Sequence, residues 1–329
     1  MGIGPGRSVV CAGILVADLF VPPLPSLPAA GELLATEDFI IQPGGCAANT
    51  AICLARLGVS AAVIGTVGDD LFGDFLQRDL RERGIDTTGV ARSRRLGTSK
   101  TVVIPVAGED RRFIHTFGAN AALRAEDIDP AIVARAEVLY VGGYLVLPAL
   151  EQAALAERFR LAQESGVRTV LDVVVPAGEA GVSLDLVREL LPHVELFLPN
   201  EDEARALTGE QDPHRAAERL LEAGAETAIV TRGRHGALLL SGEESLELPA
   251  PRVETVDGSG AGDAFAAGFI AGLLEGWSAQ RCLQFASVLG ASACTALGCT
   301  AGVFTRAEAE AFLEAQPLAV RADPRPTGS

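Results

Sequence analysis

Short runs of aliphatic and β-branched residues alternate along this chain with longer segments of helical periodicity. Continuous apolar runs are typical of strands covered on both faces, and the amphipathic segments between them are typical of helices that cover a sheet. The sequence therefore predicts an α/β fold with a central, mostly parallel sheet, whose functional side chains lie beyond the carboxyl ends of the strands. The predicted strands are 9–16, 61–68, 136–143, 168–175, 194–200 and 226–233, and the predicted helices include 70–83, 150–165 and 213–223.

The segments 17–42 and 97–117 interrupt this alternation. The first contains a proline cluster, and the second contains two β-rich runs around an Ala-Gly-Glu-Asp turn. Neither has a neighbouring helix, so we expect both to form a small antiparallel sheet set apart from the main sheet, as a lid over the functional site. Ordinary hairpin excursions are the alternative. Residues 1–316 then form one domain that carries this lid, and the proline-rich, polar residues 317–329 are expected to be a disordered tail.

The expected lid has apolar residues on both faces. Alternation along a strand separates two sets of side chains in the run 101–106, namely Val102, Ile104 and Val106 from Thr101, Val103 and Pro105. We take the face that carries Val103 as the outward one. A few strands standing off a domain cannot bury two apolar faces by themselves. We therefore expect the lid to pair with the lid of a second copy, which makes a homodimer with a two-fold contact.

Charge and lysine content exclude two kinds of phosphate site. The formal net charge is −16 and the isoelectric point is near 4.7, which is the wrong sign for a surface that neutralises nucleic-acid phosphates. Lys100 is the only lysine, and no glycine-rich run precedes it, so the chain has no Walker A loop. Any phosphate site must be made locally from backbone N–H groups or a few arginines.

Hydropathy and cysteine use indicate a cytoplasmic protein. The apolar stretch 9–16 is too short to span a membrane and lacks a signal-peptide cleavage pattern. The cysteines form no C-x-x-C pair and have no metal-ligand spacing with the four histidines, so we interpret them as small buried residues of a reducing compartment. They are Cys11, Cys46, Cys53, Cys282, Cys294 and Cys299.

The segment 256–269 reads VDGSGAGDAFAAGF, a glycine run that leads directly into a helical pattern. Glycines let successive N–H groups point at one spot, and the first turn of the helix adds free donors and the positive end of its dipole. Gly260, Ala261 and Gly262 are therefore a candidate anion hole for a phosphoryl group. Asp263 follows at once, where a carboxylate would accept the proton of an attacking hydroxyl. The alternative is that Asp263 is only a favourable residue at a helix start.

A second glycine motif, PGGCAANTA at 43–51, also leads into a helical pattern. Gly44 and Gly45 allow a ligand to approach the main chain closely, and Asn49 can both donate to and accept from a polyol. Asp18 follows the first predicted strand at its carboxyl end, where it could accept hydrogen bonds from two hydroxyl groups.

These two motifs resemble the signatures of the ribokinase-like (PfkB) carbohydrate kinases. The run GGCAANTAICLARLGVSAAVIGTVG is similar to the first signature, and VDGSGAGDAFAAGF to the second. Two further elements lie between them in the family's order, namely NEDE at 200–203 as N-x-x-E and TRGRHG at 231–236 as T-x-G-x-x-G. The resemblance extends from about Val9 to Phe304. It implies a ribokinase-like fold with a β-sheet lid.

By this resemblance, Asp263 is the catalytic base and Gly260, Ala261 and Gly262 form the anion hole. It also implies that Asn200 and Glu203 organise Mg²⁺ through water and the phosphates of ATP. The remaining implied contacts are Thr231, Gly233 and Gly236 to the nucleotide and Asp18, Gly44, Gly45 and Asn49 to the sugar. From the residues alone, NEDE could be an acidic helix start and TRGRHG a turn.

The chain departs from the family pattern at three places. Gly258 stands where threonine or serine is usual. Ser287 falls where the family often has asparagine or histidine near the adenine. Asp257 and Ser259 match part of the site at which some members bind a monovalent cation such as K⁺, but the 294–304 loop diverges.

The leading functional hypothesis is ATP-dependent phosphorylation of the primary hydroxyl of a sugar or sugar acid. A nucleoside kinase of the same family is the first alternative, and it needs an aromatic slot for a base. A sugar-binding regulator without catalysis is the second, and the intact Gly-Ala-Gly-Asp motif disfavours it. Arg111 and Arg112 in the expected lid could contact an acidic substrate group or be solvated. The candidates for the aromatic slot are Phe20, Phe39, Phe113 and Phe117.

Overall fold

The structure, a computed structural model, describes residues 8–107, 112–176 and 181–324. The strands in these ranges are β1 Ser8–Gly13, β2 Val16–Phe20, β3 Ile40–Gly44, β4 Ser60–Gly68, β5 Asp86–Ser93, β6 Lys100–Ile104, β7 Arg112–Thr116, β8 Val138–Gly142, β9 Arg168–Leu171, β10 Leu196–Phe197, β11 Thr227–Thr231, β12 Ala237–Ser241, β13 Glu244–Leu248 and β14 Arg321–Pro324. The α-helices are α1 Cys46–Arg56, α2 Leu71–Glu82, α3 Pro130–Val133, α4 Gln152–Glu164, α5 Glu201–Thr208, α6 Pro213–Glu222, α7 Ala261–Leu274, α8 Ala279–Ala293 and α9 Arg306–Ala315.

A ten-stranded sheet forms the centre of the molecule, in the order β14-β13-β12-β11-β10-β9-β8-β1-β4-β5. Pairing is parallel from β5 through β11 and antiparallel from β11 to β14. Strands β1 and β8 are buried along their whole length, which is why they read as continuous apolar runs. One apolar cluster packs α1, α7 and α8 on one face, and a second packs α4, α5 and α6 on the other. The predicted α/β fold is confirmed.

The first predicted strand, 9–16, is two strands in the structure. The chain leaves the main sheet after Gly13, whose φ of 142° is a conformation that residues with a Cβ rarely adopt. A Cβ at Gly13 would also overlap the carbonyl oxygen of Gly142 on the paired strand β8. Glycine therefore allows β1 to end and β2 to begin in a different sheet.

The lid is a four-stranded sheet in the order β3-β2-β6-β7. Both excursions predicted to form it do so, but the sheet is mixed rather than antiparallel, because β2 and β6 pair in parallel. The reason is topological. Strands β1 and β5 run in the same direction in the main sheet, and the chain passes from each of them into the lid beyond the same edge.

Register separates the two faces of the lid. Val103 packs against Phe20 and Cys299 and is 3% exposed, so the expectation that it points outward is wrong. Arg112 pairs with Ile104 and shares the outward face with it, whereas Arg111 lies outside the described residues. The inward row is Asp18, Gln42, Thr101 and His115, and the outward row is Leu19, Ile41, Val102 and Ile114.

The carboxyl-terminal residues do not all follow the predicted disorder. Arg321–Pro324 form β14, which pairs in antiparallel fashion with β13 at the edge of the main sheet. An edge strand exposes a row of unpaired backbone groups, and a further strand satisfies them. Residues 325–329 of the predicted tail lie outside the described residues.

Across the three described ranges, every helix falls short of the combined length and apolarity needed to cross a bilayer.

Substitution of Gly13 by alanine tests the glycine that separates the two sheets. We expect Gly13→Ala to lose about 1–3 kcal/mol for the backbone conformation alone, with a further loss from the overlap with Gly142. Gly242→Ala is the matched control, because a Cβ there meets no atom within 4 Å and its φ is ordinary. Urea unfolding followed by circular dichroism measures both. Equal midpoints for the two variants would show that Gly13 is not required.

Candidate active site

Helix α7 begins at the glycine run, and its first residues face open space. Gly260 is its N-cap in the left-handed conformation (φ 73°), and a Cβ there would overlap the carbonyl oxygen of Cys299. Gly262 is exposed, and a Cβ on it would meet nothing within 4 Å. The first N–H groups of a helix have no partner inside the helix, and here they carry the positive end of a 14-residue dipole. The arrangement can bind an anion.

Asp263 lies in the first turn of α7 and is buried. Asn49 of α1 donates a hydrogen bond from Nδ2 to Asp263 Oδ2 at 2.8 Å. Burial raises the pKa of Asp263 to about 6, although hydrogen bonds from Asn49 and Cys46 oppose the shift. A carboxylate with a pKa just below neutral is ionised at pH 7 and is still basic enough to take a proton.

The other polar atom of Asn49 has no partner among the described residues. Asn49 is 2% exposed, and its Oδ1 accepts no hydrogen bond. A buried acceptor left unpaired costs about 1–3 kcal/mol. This unpaired oxygen belongs to the same amide group that donates to the Asp263 carboxylate, so it is available to accept a hydrogen bond from a ligand hydroxyl. Gly45 fixes the position of Asn49, because it is the N-cap of α1 and its carbonyl accepts from the Asn49 N–H at 2.9 Å.

Asp18 lies on β2 in the lid, and not at the end of a strand of the main sheet as the sequence predicts. Its carboxylate is buried against Gly44, where any Cβ would overlap it, and Cys299 Sγ donates to its Oδ2 at 3.7 Å. Burial raises the pKa of Asp18 to about 6, hydrogen bonds from Thr101 and Cys299 lower it, and the charge of Asp263 raises it. Asp18, Gly44, Gly45 and Asn49 thus meet Asp263 between the lid and α1.

Four of the five predicted nucleotide residues line one cavity of about 150 Å³, and the fifth, Asn200, does not. Two residues of the proposed anion hole, Ala261 and Gly262, line the same cavity, so it opens onto the start of α7. Ser287 is 6% exposed, and its hydroxyl has no partner among the described residues. The other predicted residues on its wall are Thr231, Gly233 and Gly236.

Asn200 and Glu203 form a capping box at the start of α5. The Asn200 side chain accepts from the Glu203 N–H at 2.9 Å, and Glu203 Oε2 accepts from the Asn200 N–H at 2.8 Å. Burial raises the pKa of Glu203 to about 7, hydrogen bonds from Asn200 and Val175 lower it, and the charges of Asp202 and Asp263 raise it. The residue pair therefore has a local structural role as well as a position near Asp263. Asn200 also forms a β-bridge with Thr231 of the nucleotide cavity.

Sequence reasoning missed Asp172, which follows β9 directly. Tyr140 donates its hydroxyl to Asp172 Oδ2 at 3.0 Å. The ligand atoms of Cys46, Asp172 and Asp263 lie within 4.8 Å of one another. Burial, together with the charges of Glu203 and Asp263, raises the pKa of Asp172 well above its usual range. The sequence signal for Asp172 is a single carboxylate at the carboxyl end of an apolar strand. The predicted strand 168–175 is longer than β9, so it places Asp172 inside the strand rather than at its end.

The carboxylate of Asp257 joins two loops. Its Oδ1 accepts from the Ser259 N–H and its Oδ2 from the Gly298 N–H, each at 2.9 Å. These bonds fix the glycine run relative to the 294–304 loop. They account for a buried aspartate here without a cation, and the role of Asp257 and Ser259 as cation ligands stays a prediction.

The six cysteines all lie in the described ranges, none of them forms a disulfide, and all except Cys294 are buried. Cys46 begins α1 beside Asp263, and Cys299 lies against Asp18. Two of the six are therefore part of the site, although the sequence shows no motif that distinguishes them from the others.

Comparison with known proteins identifies the family of the chain. Residues 7–306 match the pfkB family carbohydrate kinases. The chain is 30% identical over 315 residues to a ribokinase of Haemophilus influenzae, covering 94% of this chain and 99% of that protein. It is 30% identical to the aminoimidazole riboside kinase of Salmonella typhimurium, covering 80% and 84%. An E. coli protein assigned as a ribokinase II, solved with ATP and Mg²⁺, superposes with a TM-score of 0.79 at 25% identity, covering 94% and 100%. The chain belongs to the pfkB family of carbohydrate kinases.

Proposed function

We propose that this kinase transfers the γ-phosphoryl group of ATP to the primary hydroxyl of a sugar or sugar acid. The observation that carries the proposal is the position of Asp263, a buried carboxylate inside the first turn of a glycine-capped helix. Simple phosphate binding would be opposed by a carboxylate at that point. A carboxylate is needed if a hydroxyl must lose a proton beside the phosphoryl group.

In the proposed reaction, Asp263 accepts the hydroxyl proton as the substrate oxygen bonds to the γ-phosphorus. The bond from that phosphorus to the β,γ-bridging oxygen breaks, and ADP leaves. The N–H groups of Gly260, Ala261 and Gly262 stabilise the charge that spreads over the phosphoryl oxygens, and they do so without reorganising. The hydrogen bond from Asn49 Nδ2 keeps the Asp263 carboxylate in place. The unpaired Oδ1 of the same Asn49 side chain accepts a hydrogen bond from a substrate hydroxyl.

The buried carboxylates suit Mg²⁺. Asp172 and Glu203 are hard oxygen donors. Burial, together with the charges of Glu203 and Asp263, raises the pKa of Asp172, and a divalent cation held by the two donors would relieve the charge repulsion. Asn200 and Glu203 would hold the ion through water. When bound, Mg²⁺ neutralises the phosphate charge. A monovalent cation at Asp257 and Ser259 is a further part of the proposal.

The substrate class is open between sugars and nucleosides. The aminoimidazole riboside kinase relative supports a nucleoside. So does the inward face of the lid, where Phe113 is 55% exposed and pairs in register with Val103, which lies beside Phe20. Phe39 and Phe117 are also exposed.

The experiment that tests the proposed function is an ADP-release screen over pentoses, ketohexoses, sugar acids and nucleosides. Absence of ADP release from every acceptor would favour the non-catalytic alternative.

On the best acceptor from this screen, Asp263→Asn should lower kcat by about 10²–10⁴-fold with little change in substrate affinity. The amide can still accept the Asn49 hydrogen bond, so the fold is retained while the base is lost. Steady-state kinetics measures the effect, with Asp185→Asn as an exposed control. A kcat above about a tenth of the wild-type value would contradict the assignment.

The wild-type pH profile gives an independent check. A base works only when ionised, so kcat/KM should fall as pH drops through the raised pKa of about 6 of Asp263. The pKa of Asp18 is also raised to about 6. Asp18→Asn separates the two groups, because the acid limb of kcat/KM should persist in that variant if Asp263 causes it.

Glu203→Gln should raise the Mg²⁺ concentration for half-maximal rate. Glutamine can keep the capping box with Asn200, so the substitution removes the charge and leaves the helix start intact. The measurement is a Mg²⁺ titration of the initial rate at saturating ATP. Glu201→Gln, on the same helix but outside the buried cluster, is the matched control. An unchanged Mg²⁺ dependence in Glu203→Gln would show that the NEDE motif serves only as a helix cap.

We also propose a homodimer through the outward face of the lid. Ile41 is 45% exposed and Ile114 is 65% exposed, and both belong to the apolar outward row. Pairing that row with its copy in a second lid would bury both. Ile114→Glu should therefore give a monomer at micromolar concentration in light scattering, whereas the wild type is a dimer. Leu186→Glu, at an exposed leucine outside the lid, is the control. A dimer that survives Ile114→Glu would contradict this interface.

A further inference from the structure

The thiol of Cys46 lies between two carboxylates at the centre of the proposed active site. The Cys46 Sγ, a carboxylate oxygen of Asp172 and a carboxylate oxygen of Asp263 lie within 4.8 Å of one another. The three residues come from α1, the end of β9 and the start of α7. The sugar-kinase chemistry proposed above uses Asp263 as a base and gives no role to a thiol.

The surroundings hold this thiol rigidly in place. Cys46 begins α1 directly after the glycine N-cap, and it is 8% exposed. A Cβ at Gly142 would lie 2.7 Å from both the Cys46 Cβ and the Tyr140 hydroxyl oxygen. The Tyr140 hydroxyl in turn holds Asp172. Two of the three groups are therefore positioned by one closely packed segment of β8.

Sulfur together with two carboxylate oxygens is a donor set for zinc rather than for magnesium. Zinc binds thiolate at about 2.3 Å and carboxylate oxygen at about 2.0 Å in a tetrahedron, which separates neighbouring ligand atoms by about 3.5 Å. Side-chain shifts of the order of an ångström would bring the triad to that spacing. Magnesium prefers oxygen ligands in an octahedron and keeps several waters.

A second observation indicates an occupant at this point. The Asn49 Oδ1 atom is buried without a partner among the described residues, and the amide nitrogen of the same side chain is bonded to Asp263. An amide oxygen can complete the coordination of a cation as well as accept from a hydroxyl. We propose that Cys46, Asp172 and Asp263 form an inhibitory site for a thiophilic divalent cation, with Zn²⁺ as its biological ligand.

Binding would block the kinase by occupying its base. The Cys46 thiol releases its proton to solvent as the sulfur–metal bond forms, and a carboxylate oxygen of Asp263 becomes a metal ligand. A coordinated carboxylate no longer accepts the proton of a substrate hydroxyl. The inhibitory half of this proposal rests on the proposed function, whereas the binding half does not.

Cadmium tests the binding half without nucleotide or sugar. Titration of the full-length protein with CdCl₂, followed through the ultraviolet sulfur-to-cadmium charge-transfer band, should saturate at one ion per chain. The band should be lost in Cys46→Ala and kept in Cys282→Ala, whose thiol lies on α8, and in Cys299→Ala, whose thiol contacts Asp18 instead. Asp172→Asn should weaken binding by about tenfold or more, since even outer-shell groups contribute about 10- to 100-fold.

A charge-transfer band that persists in Cys46→Ala, or that disappears only in Cys299→Ala, would overturn the site. If Cys46→Ala does not fold, Cys46→Ser keeps the side-chain size, and loss of the band in that variant gives the same answer.

Zinc tests the inhibitory half on the acceptor found by the screen. At saturating MgATP, the Zn²⁺ concentration for half inhibition should rise at least about tenfold in Cys46→Ser, with each variant compared with its own zinc-free rate. Cadmium binding without zinc inhibition would overturn the inhibitory role. A protein that binds cadmium at Cys46 but phosphorylates no acceptor would instead overturn the proposed function.

Discussion

The hydrogen bond from Asn49 to Asp263 joins the first turns of two helices that are 214 residues apart in sequence. Both helices begin at a glycine with a positive φ, Gly45 for α1 and Gly260 for α7. The helix that follows each glycine carries one partner of this hydrogen bond near its N-terminus. The rest of the site is arranged around this contact. The lid carboxylate Asp18 is close enough for the charge of Asp263 to raise its pKa, and the nucleotide cavity opens onto the start of α7.

Burial of acidic groups is the main electrostatic feature of the site. Desolvation is the largest cause of the raised pKa values of Asp18, Asp172, Glu203 and Asp263. Carboxylates gathered in a region of low dielectric repel one another and favour a proton or a cation. No lysine or arginine is among the described residues that line the nucleotide cavity, so the proposed site would balance an anionic substrate with backbone dipoles and cations rather than with basic side chains. The cation site proposed at Cys46 depends on the same clustering of buried carboxylates.

The two faces of the lid sheet carry side chains of different chemistry. Its inward row carries Asp18 to the site and includes Thr101 and His115, which are 3.0 Å apart between Oγ1 and Nδ1. Its outward row is apolar and partly exposed. Val103 packs inward against Cys299, which links the lid to the loop that contacts Gly260. A displacement of the lid would therefore also displace the loop that packs against the N-terminus of α7.

Local sequence patterns are sufficient to predict the fold class, the family and the residues that gather at the start of α7. Strand and helix periodicity come from local patterns, and glycine runs before helices have few structural alternatives. The buried face of the lid cannot be predicted in this way, since Val102 and Val103 are equally apolar and differ only in the long-range packing against them. The same holds for Asp172 and Cys46. A lone aspartate and a lone cysteine carry no local pattern, and they became part of the site because parallel strands end at one edge of the sheet and bring distant residues together there.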